Sequence, residues 1–403
     1  MEKSDSLYKE AWKKLKRDLL AKIGMGIILF LSIIAILGPS IRPIKTKDAD
    51  LQILQIKSQS PGFNIDLVHK VKNVDPKSTN FIEGTLFGYE NSFTPPVPVV
   101  EYWDEGEYLY MVRFMGSYEM IDTVKEKLID IAYPLDLDNI DFVNDNDNYS
   151  FNTLDGRVSV SRGDLLTMIK DDMIDNQTYW LGTDRNGRDF LSRVMAGTRI
   201  SLGVGVVGVS ISVFIGVILG AISGFFRGWV DNLITWVTSV FWSIPALLLV
   251  IAITLSLGKG IQVVFIAVGL TMWVEVARIV RGQFLSLSQF EFVEAGKALG
   301  FKKRRIIFRH VLPNTIGPII VVSVSNFATA ILLEAGLSFL GLGAQPPTAS
   351  WGEMVGAYQG YLVGDYPHLA IVPGVAIVIT VIAFFMLGNG LRDAFDVKDI
   401  KKT

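Results

Sequence analysis

The 403-residue chain has no cysteine, which excludes disulfides, a thiol nucleophile and thiolate metal sites. Histidine is nearly missing too: His69, His310 and His368 are the whole set, and no two of them pair on a helix face, so an imidazole metal site is not expected. There is no G-x-x-x-x-G-K-[ST] phosphate loop; Gly258-Lys259-Gly260 lacks both the spacing and the strand-loop-helix setting. The acidic run Asp141-Phe-Val-Asn-Asp-Asn-Asp147 lacks the glycine and terminal glutamate of a calcium loop and reads as a solvated turn. Nothing arranges Ser, His and Asp for nucleophilic chemistry, so no enzyme active site and no bound metal or cofactor are expected.

Charge is missing from long stretches as well. Residues 23–41, 200–226, 232–258, 260–274, 311–333 and 369–391 contain no Asp, Glu, Lys or Arg, and a membrane span needs roughly 20 such residues. The fourth stretch is short. It reaches span length by extending through Glu275 toward Arg278, with the acid near the cytoplasmic surface or paired three residues on. Six transmembrane helices are therefore expected. The first is a retained anchor, since its flank shows no small-residue cleavage pattern. Lys3, Lys9, Lys13, Lys14, Lys16, Arg17 and Lys22 precede that helix, whereas 341–368 has no Lys or Arg at all. This asymmetry puts both termini in the cytoplasm. Glu275 and Glu334, acids at or near membrane depth, become candidate pathway residues.

Half the residues are apolar, yet 40 acids balance 38 bases, as expected of a membrane part joined to a soluble one. Residues 1–22 form a basic amphipathic lead-in, suited to the inner membrane surface, before the first span at 23–41. Residues 42–180 change composition completely and form a soluble α+β insert between the first two helices. Within it Tyr108–Phe114 alternates as a strand, 119–131 has helical spacing, and Leu154-Asp-Gly-Arg157 is a hairpin turn. Ser161-Arg-Gly-Asp164 is a capping box opening a helix over 165–174. A core follows at 181–397, holding helices two to six and a polar loop at 281–313, and 398–403 is a cytoplasmic tail.

The loop segment 294–313 reads EAGKALGFKKRRIIFRHVLP. Small residues let a helix seat closely in a groove, Gly300 permits a positive φ, and Pro313 suits the opening of the next helix. The basic run Lys302-Lys-Arg-Arg305 follows the positive-inside tendency and suits acidic lipid or a protein surface rather than nucleic acid. Glu294, Ala295, Gly296, Gly300, Leu312 and Pro313 resemble the Glu-Ala-Ala coupling motif of ABC-transporter permeases, with two departures, Gly296 for Ala and His310 for Ile. Tyr179–Arg193, Ser243-Ile-Pro-Ala246, Glu334–Gly343, Ser350-Trp-Gly352 and Gly388–Asp396 resemble the dipeptide, oligopeptide and nickel branch of that family.

The resemblance covers the first helix and 179–397, not most of the insert. It implies a type I ABC importer permease fold, an all-α polytopic membrane protein in a bacterial cytoplasmic membrane. It further implies a second homologous permease subunit, two ABC ATPases that carry ATP and Mg, and an extracytoplasmic substrate-binding protein. ATP would be hydrolysed on those partners, and peptides delivered by the binding protein would be the cargo. Nickel or another small solute is the rival cargo, and a membrane-anchored sensor is the rival class. For the acidic insert two roles stand, docking of the binding protein or capping of the entrance.

Overall fold

The computed structural model describes residues 2–74, 80–117, 121–139 and 141–395, so the expected tail at 398–403 lies outside the described residues. The chain divides into two units, residues 36–196 and residues 1–35 with 197–403.

The lead-in is a helix, α1 (Glu2–Leu15), and Asp18 caps the next, α2 (Leu19–Ile41), by accepting from the backbone N–H of Leu20 and Ala21 at 2.8 and 3.2 Å. This cap starts α2 four residues ahead of the charge-free stretch. Ala11 and Leu15 bury their side chains with Ala21 and Ala394, so protein covers part of the face expected to meet lipid. Trp12 stays half-exposed beneath the Lys16 ammonium.

Residues 36–196 hold the α+β insert. Its elements run β1 (Phe63–Val68), α3 (Phe81–Phe87), β2 (Val97–Glu105), β3 (Tyr108–Phe114), β4 (Ile121–Lys127), α4 (Leu128–Ala132), β5 (Val143–Asp145), β6 (Asn148–Thr153), β7 (Gly156–Ser161), α5 (Arg162–Met168) and β8 (Ile174–Tyr179). One antiparallel sheet has the order β4-β3-β2-β1-β8, and β5-β6-β7 form a second. Leu109 and Met111 of the alternating strand join Leu128, Ile131, Phe151 and Leu165 in the main core. The hairpin at 154–157 forms as read, and Ser161 accepts from the Asp164 N–H to open α5. Asn146 and Asp147, both left-handed, make the turn from β5 to β6.

The helical spacing over 119–131 is overridden: residues 121–127 pair with β3 as a strand, and only 128–132 are helical. Cross-strand pairing along the whole of β3 outweighs local periodicity there.

The second unit carries α6 (Phe190–Phe226) from Gly197 onward, then α7 (Gly228–Ser243), α8 (Ala246–Leu257), α9 (Ile261–Leu287), α10 (Glu291–Ala298), α11 (Lys303–Ile306), α12 (Leu312–Phe339), α13 (Trp351–Tyr358) and α14 (His368–Phe395). Among the described residues five runs are long and apolar enough to cross a membrane, namely α2, α6, α9, Lys303–Phe339 and α14. The stretch 232–258 is not one straight span. It breaks by 93° between α7 and α8, where Pro245 lacks an N–H and Ile244 is extended. The fourth stretch, short by composition, is the 27-residue α9.

Glycines at every fourth position of α6, interrupted once by buried Ser212, face α9. A Cβ on Gly216 would stand 2.6 Å from Val276 Cβ, one on Gly220 2.5 Å from the Ala277 carbonyl oxygen, and one on Gly224 2.6 Å from Phe284 Cβ. The two backbones thus approach as closely as glycine allows.

Candidate functional site

After α9 the chain turns at Ser288 and enters α10, which Val293 and Gly296 hold inward while Glu294, Ala295 and Leu299 face out. Its C-terminus is a complete Schellman motif: Phe301 N–H donates to Gly296 O and Gly300 N–H to Lys297 O, each at 3.0 Å. Gly300 supplies the left-handed residue at φ 70°. Phe301 then serves as a platform, with the Arg305 guanidinium 4.1 Å from its ring centroid and His310 stacked at 5.8 Å. His310, one of the two departures from the motif, therefore replaces an aliphatic contact with a ring contact.

Gly296, the other departure, lies on the inward face and not on the outward one that a partner would meet. A Cβ there would touch Phe301 Cδ2 at 3.4 Å. Gly296→Ala is expected to slow amide hydrogen exchange across 291–299 by about two- to fivefold, the size of a glycine-to-alanine helix gain of roughly 0.5–1 kcal/mol. Unchanged exchange would mean that Phe301 does not yield to the methyl group.

Around α10 apolar surface is left uncovered: Phe290 and Phe292 stack on each other at 6.0 Å, and Leu299 is 73% exposed. No ion pair joins Glu294 to Lys297 among the described residues. Pro313 is the second residue of α12, as read, but no break precedes it. The helical run begins ten residues earlier, at Lys303, and passes through a π-helical turn at Ile307–Val311. A wider turn relieves the clash of a proline ring with the preceding turn's carbonyls, and the His310 carbonyl accepts from Asn314 Nδ2 at 2.6 Å.

A polar clasp the sequence reading missed lies upstream. Arg281 of α9 donates to Asp231 of α7 through Nε at 2.6 Å and through its terminal nitrogen at 2.7 Å. Ser223 of α6 and Thr235 also donate to the carboxylate. Three helices are joined ten residues before α10, by a bidentate pair of the strong kind. The residues stand fifty apart, so only a contact map, not spacing, could have found them.

The two candidate pathway acids occupy different settings. Glu275 is exposed and lines two cavities, one of about 300 Å³ shared with Pro318, Ser325 and Arg392, the other of about 570 Å³ shared with Trp242 and Arg278. Among the described residues no ion pair joins it to Arg278, whose guanidinium stacks 3.6 Å from the Trp242 ring centroid. Glu334 lines neither cavity and is fully buried. Ser338 donates to it at 2.7 Å, Ser201 of α6 at 3.3 Å, and Ser350 bonds to it as well. Ser350 also caps α13 by accepting from Glu353 N–H at 3.1 Å.

A family model described as the binding-protein-dependent transport system inner membrane component matches residues 216–398. The chain is also 41% identical over 223 residues to the glutathione transport system permease protein GsiD of Pectobacterium atrosepticum, a match covering 55% of this chain and 74% of that one. The chain belongs to the family of binding-protein-dependent inner-membrane transport components. The dipeptide transport permease DppC of Alkalihalophilus pseudofirmus is 42% identical over 220 residues, with 55% and 72% covered. The oligopeptide transport permease OppC of Bacillus subtilis is 42% identical over 223 residues, with 55% and 73% covered. A second model, the N-terminal TM domain of oligopeptide transport permease C, matches residues 6–61. Among solved structures, a chain of the inward-facing methionine ABC transporter MetNI aligns at TM-score 0.43 and 18% identity, over 51% of this chain and 97% of its own.

The permease is thus a helical, multi-pass membrane protein and a transport component rather than an enzyme. Its family works with ATPases and substrate-binding proteins. The clasp, the loop at 294–313, Glu275 and Glu334 all fall inside the stretch 216–398, while 62–215 lies outside both models. In that gap the permease folds 182–193 into a buried turn. Asp184 accepts from Asn186 N–H, Arg188 N–H and Arg188 Nε, and Arg188 reaches Asp50 at 2.8 Å. Arg193 donates to the Asp48 carbonyl at 3.0 Å, and Ser192 accepts from Ile44 N–H. Burial holds the Asp189 carboxyl above the usual carboxylate range, opposed by its hydrogen bonds from Ser192. These bonds stitch the segment at 42–60 to the start of α6.

Proposed function

We propose that this chain is one of two permease subunits of an ATP-driven importer of the type I fold, forming half of a translocation pathway for peptides. The observation that carries the reading is α10, a rigidly capped helix that turns Glu294, Ala295 and Leu299 outward from a basic loop. Such a helix fits a groove in an ATPase, and ATP and Mg are held there, on two separate subunits. The peptide assignment rests on relatives whose names specify glutathione, dipeptide and oligopeptide transport.

In this reading there are six spans, with α7 and α8 forming the broken third. Both termini face the cytoplasm, and residues 42–180 stand outside the bacterial cytoplasmic membrane, where a substrate-binding protein delivers cargo. Closure of the ATPases on ATP moves α10 as a rigid body and switches the cavity between outward and inward access. Glu275, exposed beside two cavities, is the acid best placed to meet a passing solute.

The test is Glu294→Lys in the reconstituted four-subunit complex with its binding protein. Uptake of labelled tripeptide should fall at least tenfold, with insertion and co-purification of the second permease unchanged. Wild-type uptake would remove the coupling role, and uptake of nickel with none of peptide would change the cargo.

A further inference from the structure

Helix α7 is lightly held. Asp231 and Thr238 are its buried residues, while Trp229, Leu233, Trp236, Val240 and Trp242 are between 43% and 75% exposed. Among the described residues its polar and ring contacts to other helices run to α9 and α6. Phe241 meets Trp273 edge-on at 5.6 Å, Trp242 lies against the Arg278 guanidinium, and Asp231 is held by Arg281 and Ser223. The position of α7 therefore follows that of α9, and α9 is the helix that runs on into α10.

The corner between α6 and α7 gathers both ends of the loop. Arg227 and Gly228, left-handed at φ 55° and 61°, reverse the chain with only Arg227 between the two helices. The Arg227 terminal nitrogen reaches the Leu285 carbonyl at 3.5 Å, just ahead of the turn at Ser288, and the Lys303 ammonium lies 5.3 Å from the Phe226 ring centroid. One contact precedes α10 and the other follows it. The Arg281 fork then fixes this corner in angle as well as distance, because two bonds reach one carboxylate. At the far end of α7, about 16 Å from Asp231 at 1.5 Å per residue, Trp242 walls the cavity of about 570 Å³ that Glu275 lines. The helix stops there at the 93° break.

We propose that the Asp231–Arg281 clasp is the link that carries movement of α10 into α7. When α10 is displaced, Arg281 takes the α6–α7 corner with it, and α7 shifts its Trp242 end at the cavity wall. Arg281 and Asp231 are positioning residues, acting through α7 and touching neither cargo nor nucleotide. The inference rests on the coupling role of α10 and says where that movement goes. With the clasp broken, α10 still seats on its ATPase, and hydrolysis continues while the cavity no longer follows it.

The test compares wild type, Arg281→Lys, Asp231→Asn and the double variant in the reconstituted four-subunit complex with its binding protein. Lysine keeps the charge but cannot bond both carboxylate oxygens in a fixed fork. Asparagine keeps the shape and an acceptor for Ser223, so both variants retain the fold. Uptake of labelled tripeptide per ATP hydrolysed should fall about fivefold in each single variant, within the range found for residues that carry coupling. The double variant should fall no further, as two members of one link do. A wild-type ratio overturns the proposal, and so do additive losses in the double variant. Loss of uptake, hydrolysis and melting temperature in one proportion also overturns it, since a brace alone gives that result. Glu294→Lys is run beside them to separate the two readings. If it transports normally, the coupling role of α10 fails; if it abolishes uptake while the clasp variants keep a normal ratio, only the clasp's part in coupling fails.

Discussion

Replacing Gly220 by leucine is expected to abolish the folded permease in detergent: the purified protein should elute as aggregate and lose its cooperative thermal transition. The reason lies in which atom the new side chain meets. A Cβ at this position would stand 2.5 Å from the carbonyl oxygen of Ala277 and 2.8 Å from Val280 Cβ, and a backbone oxygen cannot rotate away as a side-chain tip can. Relief requires α6 and α9 to separate along the whole glycine row. Between helices in lipid there is no hydrophobic gain to offset this, because packing itself drives association. Overpacking in a core typically costs 1–3 kcal/mol, and here the added group is a full isobutyl chain against main chain. Gly26→Leu on α2 is the control, since nothing lies within 4 Å of its would-be Cβ. A Gly220→Leu protein that melts with the wild type would show that α6 and α9 do not pack as described.

The second large effect is expected at Glu334. Glu334→Leu should lower the melting temperature well beyond Glu334→Gln, because leucine strands the hydroxyls of Ser201, Ser338 and Ser350 in a site with no solvent access. Each buried polar group left without a partner costs about 1–3 kcal/mol. Glutamine keeps one carbonyl oxygen and offers an amide that a serine oxygen can accept from. Those serines belong to α6, α12 and the cap of α13, so the carboxylate ties three helices at one point. Thermal unfolding and peptide uptake should be measured on both variants. If Glu334→Gln melts normally yet transports nothing, the acid acts on cargo and not on the fold.

The legible parts of this chain were those set by local pattern. Charge-free runs marked the crossing helices, and Ser161 with Asp164 marked a helix start. Gly300 marked a left-handed turn within the loop. What stayed hidden depends on distant partners. Residues 121–127 have helical spacing but gain more from pairing with β3 than from a helix of their own. Pro245 stands within the charge-free run 232–258, yet the 93° break also depends on α7 and α8 packing separately on α9. Arg281 and Asp231 are each unremarkable on their own helix, and only folding shows them to be a pair. Glu334 was recognisable as an acid at membrane depth, but its three serine partners come from separate elements, so burial rather than exposure to a pathway could not be read. Gly296 was read as part of a docking face, and the Schellman geometry turns it inward.

In the proposed transport cycle the helical run from Lys303 to Phe339 would act as a lever. Its lower end is joined to α10 through the Phe301 platform, and its upper end holds Glu334. At 1.5 Å per residue the arm from Ile306 to Glu334 is about 42 Å long, so a tilt of about 5° at the base would carry the upper end roughly 4 Å. The π-helical turn at Ile307–Val311 would then be the joint of that arm, its stiffness setting how much movement at the loop arrives at the far end.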